Sequence, residues 1–195
     1  MPTSRVEAFS DGVFAIAATL LILNVQAGGP HLGQELGHIW PSYVAYAVSF
    51  VTIGIIWVNH HTVMAQIAKV DRVLLMLHVL FLMFIAFIPF PTALLAQNIR
   101  SQGAEAAALS YGVTLTMTAI LINVLWRYAA HGQRLLRTDA DARVVVGISR
   151  SYLPGPFLYL AATVVAFVSP IASAGLYLAI AVFYVLESSL FGGRD

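Results

Sequence analysis

The chain has 195 residues, of which 59% are hydrophobic and 10% charged. Soluble domains carry nearer a quarter charged residues, so this composition belongs to an integral membrane protein and leaves no room for a soluble domain beside the spans. A net charge of +1, with basic residues scattered along the chain, gives no case for nucleic-acid binding, and the lack of cysteine excludes disulfides, thiolate metal sites and cysteine nucleophiles.

The first predicted span runs from Arg5 to Val25. It opens on Arg5, Glu7, Ser10 and Asp11 and then carries no charge from Gly12 to Val25. As a helix it measures roughly 30 Å, one hydrocarbon thickness. The acidic residues before the apolar run, and the absence of a basic lead, argue against a cleaved signal peptide. Ala27-Gly28-Gly29-Pro30 breaks the span, and His31 to His38 reads as a short polar loop with room for a helical turn. Trp40-Pro41 restarts the chain, and the second span covers 42–66, ending in W-V-N-H-H. Lys69 to Arg72 is a charged turn before the third span, 73–97, whose far end Pro89 and Pro91 should kink. The fourth span covers 105–128. A basic segment follows from Arg127 to Arg150, with Thr138-Asp139 as a helix start inside it. The fifth span covers 151–168, and after Ser169-Pro170 the sixth covers 171–191.

Six spans put both termini on one side. That side takes Arg5, Lys69, Arg72, Arg127, Arg134, Arg137, Arg143, Arg150 and Arg194, and the other takes Arg100 alone. The excess of positive charge places both termini in the cytoplasm. No internal repeat is visible.

One carboxylate, Asp11, stands on a segment that otherwise belongs in lipid. Such a group faces protein or water, because an ion facing lipid costs several kcal/mol. At 100° per residue, Gly12, Ile16, Thr19, Leu20 and Leu23 share a stripe about 100° wide, and Asp11 points about 140° from Ile16. One helix cannot present both to the same neighbour. Either the stripe lines a pore and Asp11 turns into its own bundle, or Asp11 lines a pore and the stripe is packing. Periodicity does not choose, because the helix is apolar all round.

Arg5, Phe9, Ser10 and Asp11, in R-x-x-x-F-S-D, fall on the motif that opens the pore helix of the transmembrane protein 175 family of potassium channels. The chain resembles the single-repeat, prokaryotic-type branch of that family in motif, length and topology. The resemblance implies an all-α membrane protein of six transmembrane helices in a bacterial plasma membrane. Some members carry two six-span repeats; this chain carries one, so a homotetramer would surround the pore with four copies of helix 1. It further implies a pore constriction at Ile16, Leu20 and Leu23 and a selectivity role for Thr19. The permeant potassium ion is the only ligand implied; no cofactor, no metal and no enzymatic activity are expected.

Near the cytoplasmic end of the first span, the second presents Trp57, Asn59, His60 and His61 at similar depth. Indole, amide and imidazole N–H groups all donate to carboxylates. These residues are expected to form, with Arg5, Ser10 and Asp11, a buried polar knot that pins the pore helix. His60, His61 and His78 also invite a haem reading, in which only His78 could partner His60 or His61, because adjacent histidines diverge by about 100°. No H-E-x-x-H, G-x-S-x-G or phosphate loop is present. The competing class is a proton-permeable or proton-coupled transporter with Asp11 and a histidine as proton site. With no T-V-G-Y-G filter and no ring of acids, discrimination falls to the apolar stack and the Thr19 hydroxyls, which predicts modest potassium selectivity.

Overall fold

Long apolar stretches that must satisfy every backbone group internally become helices in lipid. The computed structural model describes residues 3–27 and 31–191, the side chains of 187–191 excepted. Gly28, Gly29 and Pro30, expected to break the first span, lie outside the described residues, as does Arg194 of the basic set. The helices are α1 (Thr3–Leu20), α2 (Leu32–His38), α3 (Trp40–Ala65), α4 (Arg72–Phe87), α5 (Pro89–Asn98), α6 (Ala104–Ala130), α7 (Ala142–Ser151), α8 (Pro154–Val165) and α9 (Pro170–Phe191). A 3-10 turn, Leu21–Asn24, extends α1. Among the described residues, four stretches are long and apolar enough to cross a membrane: Thr3–Asn24, Trp40–Ala65, Arg72–Asn98 and Ala104–Gln133.

The third stretch is bent where the sequence demands it. Pro89 and Pro91 have no amide hydrogen, so α4 stops at Phe87 and α5 restarts at Pro89. The fifth span departs from its predicted bounds. Ser151 closes α7, and α8 runs only from Pro154 to Val165, about 18 Å, which is short of the ~30 Å hydrocarbon core. Pro154 and Pro156 cannot continue a helix from α7, so the chain starts a new one there. The start expected at Thr138-Asp139 lies slightly later. Asp141 caps α7 by accepting from the Arg143 amide at 2.7 Å, while Asp139 pairs with Arg137 at 3.0 Å.

Packing places α6 at the centre, against α4, α5, α8 and α9, and it is buried at intervals from Ala104 to Ala129. Gly112 lets α6 approach α8 and α9, since a Cβ there would strike the Tyr177 hydroxyl and the Thr163 side chain. The main core joins Phe14, Leu21, Ile53, Phe81, Ile85, Tyr111, Leu115 and Tyr177. A second core, with Val63, Leu74, Trp126 and Leu136, closes the end where the basic loops gather. There Asp71 is a hub: one carboxylate oxygen accepts from the Leu74 amide, capping α4, and the other accepts from the Tyr128 hydroxyl, both at 2.8 Å. Arg134 lies 3.3 Å from the second oxygen. The amide first, then the phenol and the guanidinium, hold this carboxyl below its ordinary pKa against the opposing effect of desolvation. The hub draws the turn before α4 to the end of α6, so the alternation of helix direction follows.

Candidate functional site

The site is built on α1. Its inner face is Val6, Ser10, Phe14, Ala17 and Leu21, all buried against α3 and α4. The Phe14 ring meets His60 at 5.5 Å and Phe81 at 6.1 Å between centroids. Two residues on, at 200°, the helix turns outward. Ile16 and Leu23 are each 61% exposed and Leu20 42%. Phe9, Gly12 and Thr19 are exposed as well. The stripe is therefore the uncovered face of one chain. Among the described residues little packs on it, although it lies opposite the face that anchors the helix.

The Thr19 hydroxyl donates to the carbonyls of Ala15 at 2.9 Å and Ile16 at 3.0 Å. Donation to its own backbone consumes the hydroxyl hydrogen and leaves the oxygen's lone pairs facing outward, where they can only accept or face a cation. The outer end of the helix is tied by Asn24, whose amide nitrogen donates to the Pro89 carbonyl at 2.9 Å. That links α1 to the break between α4 and α5.

The expected polar knot forms only in part. Trp57 Nε1–H donates to Asp11 Oδ1 at 2.8 Å, and the Trp57 ring stacks on His61 at 6.2 Å. Asp11, Trp57 and His61 are all exposed, so this group sits on the flank of the α1–α3 seam and is not buried in the bundle. The other expected members turn elsewhere. Ser10 is buried but donates to the Val6 carbonyl one turn back, at 2.8 Å. Arg5 is exposed and, among the described residues, makes no ion pair. The backbone carbonyl of Asn59 accepts from the Tyr152 hydroxyl at 3.0 Å.

His60 is buried, stacked on Phe81 at 5.7 Å, with its Nε2 3.1 Å from Nε2 of buried His78. His78 Nδ1 lies 3.3 Å from the Leu74 carbonyl. A carbonyl takes only a donor, so Nδ1 carries the His78 hydrogen, its Nε2 accepts, and His60 Nε2–H donates. This pair is the residue relation that sequence reasoning missed: His78 was considered only as an axial ligand. Metal–imidazole bonds of about 2.0–2.1 Å would need nitrogens about 4 Å apart. At 3.1 Å the two rings bond each other. Among the described residues no three His, Asp or Glu side chains gather as a metal site.

Comparison with known proteins agrees with the motif. The family model described as "Endosomal/lysosomal potassium channel TMEM175" matches residues 5–89. A potassium channel of Chamaesiphon minutus is 40% identical over 193 residues, covering 96% of this chain and 95% of that one. The crystal structure of a lysosomal potassium-selective channel TMEM175 homolog from Chamaesiphon minutus superposes with a TM-score of 0.87 at 38% identity, covering 95% of this chain and 97% of that one. The endosomal/lysosomal proton channel TMEM175 of Gallus gallus is 34% identical over 143 residues, which is 67% of this chain and 28% of that protein.

Proposed function

The chain belongs to the TMEM175 family of ion channels, and from that premise we propose that it conducts potassium passively across a membrane as a homotetramer, with four copies of α1 around the axis. The observation that carries this reading is the uncovered stripe of Ile16, Leu20 and Leu23, opposite the packed face of the same helix. One chain offers a single such helix and cannot enclose a pore with it, so copies are required. Three apolar rings in succession, each of four side chains, make a constriction that gates by dewetting, and the Thr19 oxygens, already turned outward, are the acceptors available beside it. In this reading α8, with α7 at its start, and α9 complete a six-span chain in a bacterial plasma membrane, and the end carrying Lys69, Arg72 and Arg134 faces the cytoplasm together with both termini.

The test is potassium flux into liposomes, with sodium as control. Wild-type protein passes potassium in preference to sodium. Leu20→Asn places an amide ring at the constriction, which raises flux and lowers the preference. A buried packing position predicts the reverse, because an amide without partners costs on the order of 1–3 kcal/mol per copy and brings no flux. The proton channel name of the Gallus gallus relative motivates one further arm. A proton gradient imposed without potassium dissipates through the wild type if proton permeation is the main activity, and persists if potassium conduction is.

A further inference from the structure

Two recesses adjoin at the end of the bundle opposite the basic loops. One is an apolar slot of about 250 Å³ between the start of α3, the end of α5 and the start of α9, lined among others by Trp40, Val44, Val48, Leu95, Ile171 and Leu178. The other is a polar cup of about 310 Å³ lined among others by Asn24, Gln26, His38, Ser42, Gln97 and Arg100. Pro41, Ala96 and Ile99 belong to the walls of both, so slot and cup lie side by side.

Charge tells the two apart. Arg100 is the cation of the cup, and no carboxylate lines either recess. Among the described residues Arg100 has no ion-pair partner, and Glu35, exposed on α2, lines neither wall. The Arg100 guanidinium carbon lies 4.9 Å from the centre of the Trp40 ring, and Trp40 borders the slot. The indole thus holds the charge at the seam, in the manner of interfacial aromatic residues. The slot opens sideways between exposed Trp40, Val44, Ile171 and Leu178, where a membrane protein meets lipid. Its volume is below the ~300–1,000 Å³ of ordinary small-molecule sites and suits one chain of methylenes.

We propose that slot and cup together bind one anionic glycerophospholipid, with an acyl chain in the slot and the phosphate in the cup against Arg100. The guanidinium gives a phosphate charge-assisted hydrogen bonds that it has no carboxylate to satisfy, and Ser42 and Gln97 supply further donors. The occupied site bridges the end of α1, the start of α3, the end of α5 and the start of α9. It holds the outer rim of the bundle together from the lipid side. This inference is independent of ion conduction.

The experiment is native mass spectrometry of the full-length protein in mild detergent. The titrants are phosphatidylglycerol, phosphatidylcholine of the same acyl chains, and inorganic phosphate. One phosphatidylglycerol per chain binds about tenfold more tightly than phosphatidylcholine, whose phosphate is the same but whose choline cation is repelled by the Arg100 guanidinium. Arg100→Gln removes that preference, while Arg143→Gln, on α7 at the other end, keeps it. Gly175→Leu fills the slot from a position where an added Cβ has nothing within 4 Å, and it weakens both lipids. Equal binding of the two lipids by the wild type, a preference that survives Arg100→Gln, or unchanged binding to Gly175→Leu overturns the proposal. So does inorganic phosphate displacing phosphatidylglycerol at equal concentration, which would assign the cup to a free anion.

Discussion

Phe14 and Ile16 stand two residues apart on one helix and separate scaffold from stripe. Phe14 is 3% exposed, wedged between His60 and Phe81, whereas Ile16 is 61% exposed. In water, truncating a buried phenylalanine to alanine costs about 3–5 kcal/mol, from transfer and cavity together. In a bilayer the unfolded reference already places the ring in hydrocarbon, so the transfer contribution falls away and the cavity remains. At about 24 cal/mol per Å³, a ring-sized void on the order of 100 Å³ costs about 2 kcal/mol in each chain. Phe14→Ala therefore lowers the melting temperature and the yield of detergent-solubilised protein. Ile16→Ala opens no void within its own chain and leaves the melting of the fold near wild type, while widening one apolar ring and raising potassium flux. Thermal melts of both variants, with liposome flux of each, read the two effects separately. Equal melting losses, together with unchanged flux for Ile16→Ala, would refute the assignment of faces.

Three further outcomes are expected. Gly112→Ala gains about 1 kcal/mol in helix propensity but loses about 1–3 kcal/mol to overpacking against Tyr177 and Thr163. Its melting temperature falls, and combining it with Tyr177→Phe and Thr163→Ala restores much of the loss. A double-mutant cycle between Asp11→Ala and Trp57→Phe gives a coupling of about 1 kcal/mol in the stability of the fold, as for one partly solvated charge-assisted hydrogen bond. Zero coupling would break the link between α1 and α3. The Asp71 carboxyl titrates below its ordinary value of 3.8 in the fold, so its ionised form stabilises the native state fully above that value. The stabilisation disappears as pH falls through the unfolded and then the folded pKa. Asp71→Asn still caps Leu74 but flattens this acid limb, which melts recorded across pH would show.

The sequence carried the architecture well where physics allows one answer. Pro89 and Pro91 lack amide hydrogens, so a break between Phe87 and Pro89 follows from covalent structure alone. Asp11 could be matched to a short set of donors, because α1 and α3 run antiparallel and bring Trp57 to its depth; the structure selects Trp57. Ser10, Arg5 and His60 were not separable in the same way. A serine in a helix has its own carbonyl one turn back, as Ser10 has Val6, and no pattern reports which acceptor wins. His60 faces α4 instead of Asp11 because helix neighbours in an apolar bundle are chosen by shape, and hydrophobic periodicity is silent when every face is apolar. The bounds of the fifth span shifted for a related reason. Tyr152 to Pro156 is apolar enough to continue a span, and the break at Pro154 interrupts it without changing its hydropathy.

The 3-10 turn at Leu21–Asn24 is an angular correction. In an α-helix, three residues advance by 300°, so Leu23 would sit 60° off the meridian of Leu20. At three residues per turn the advance is a full circle, and side chains at i and i+3 eclipse. Leu23 is thereby carried back over Leu20. The same turn rises ~2.0 Å per residue instead of ~1.5 Å, which spaces the two leucines by about 6 Å. In the proposed tetramer the upper two apolar rings are eclipsed and separated by roughly a leucine's thickness. A single residue inserted between Leu20 and Leu23 would rotate the upper ring by a third of a turn and leave the lower one capped by nothing.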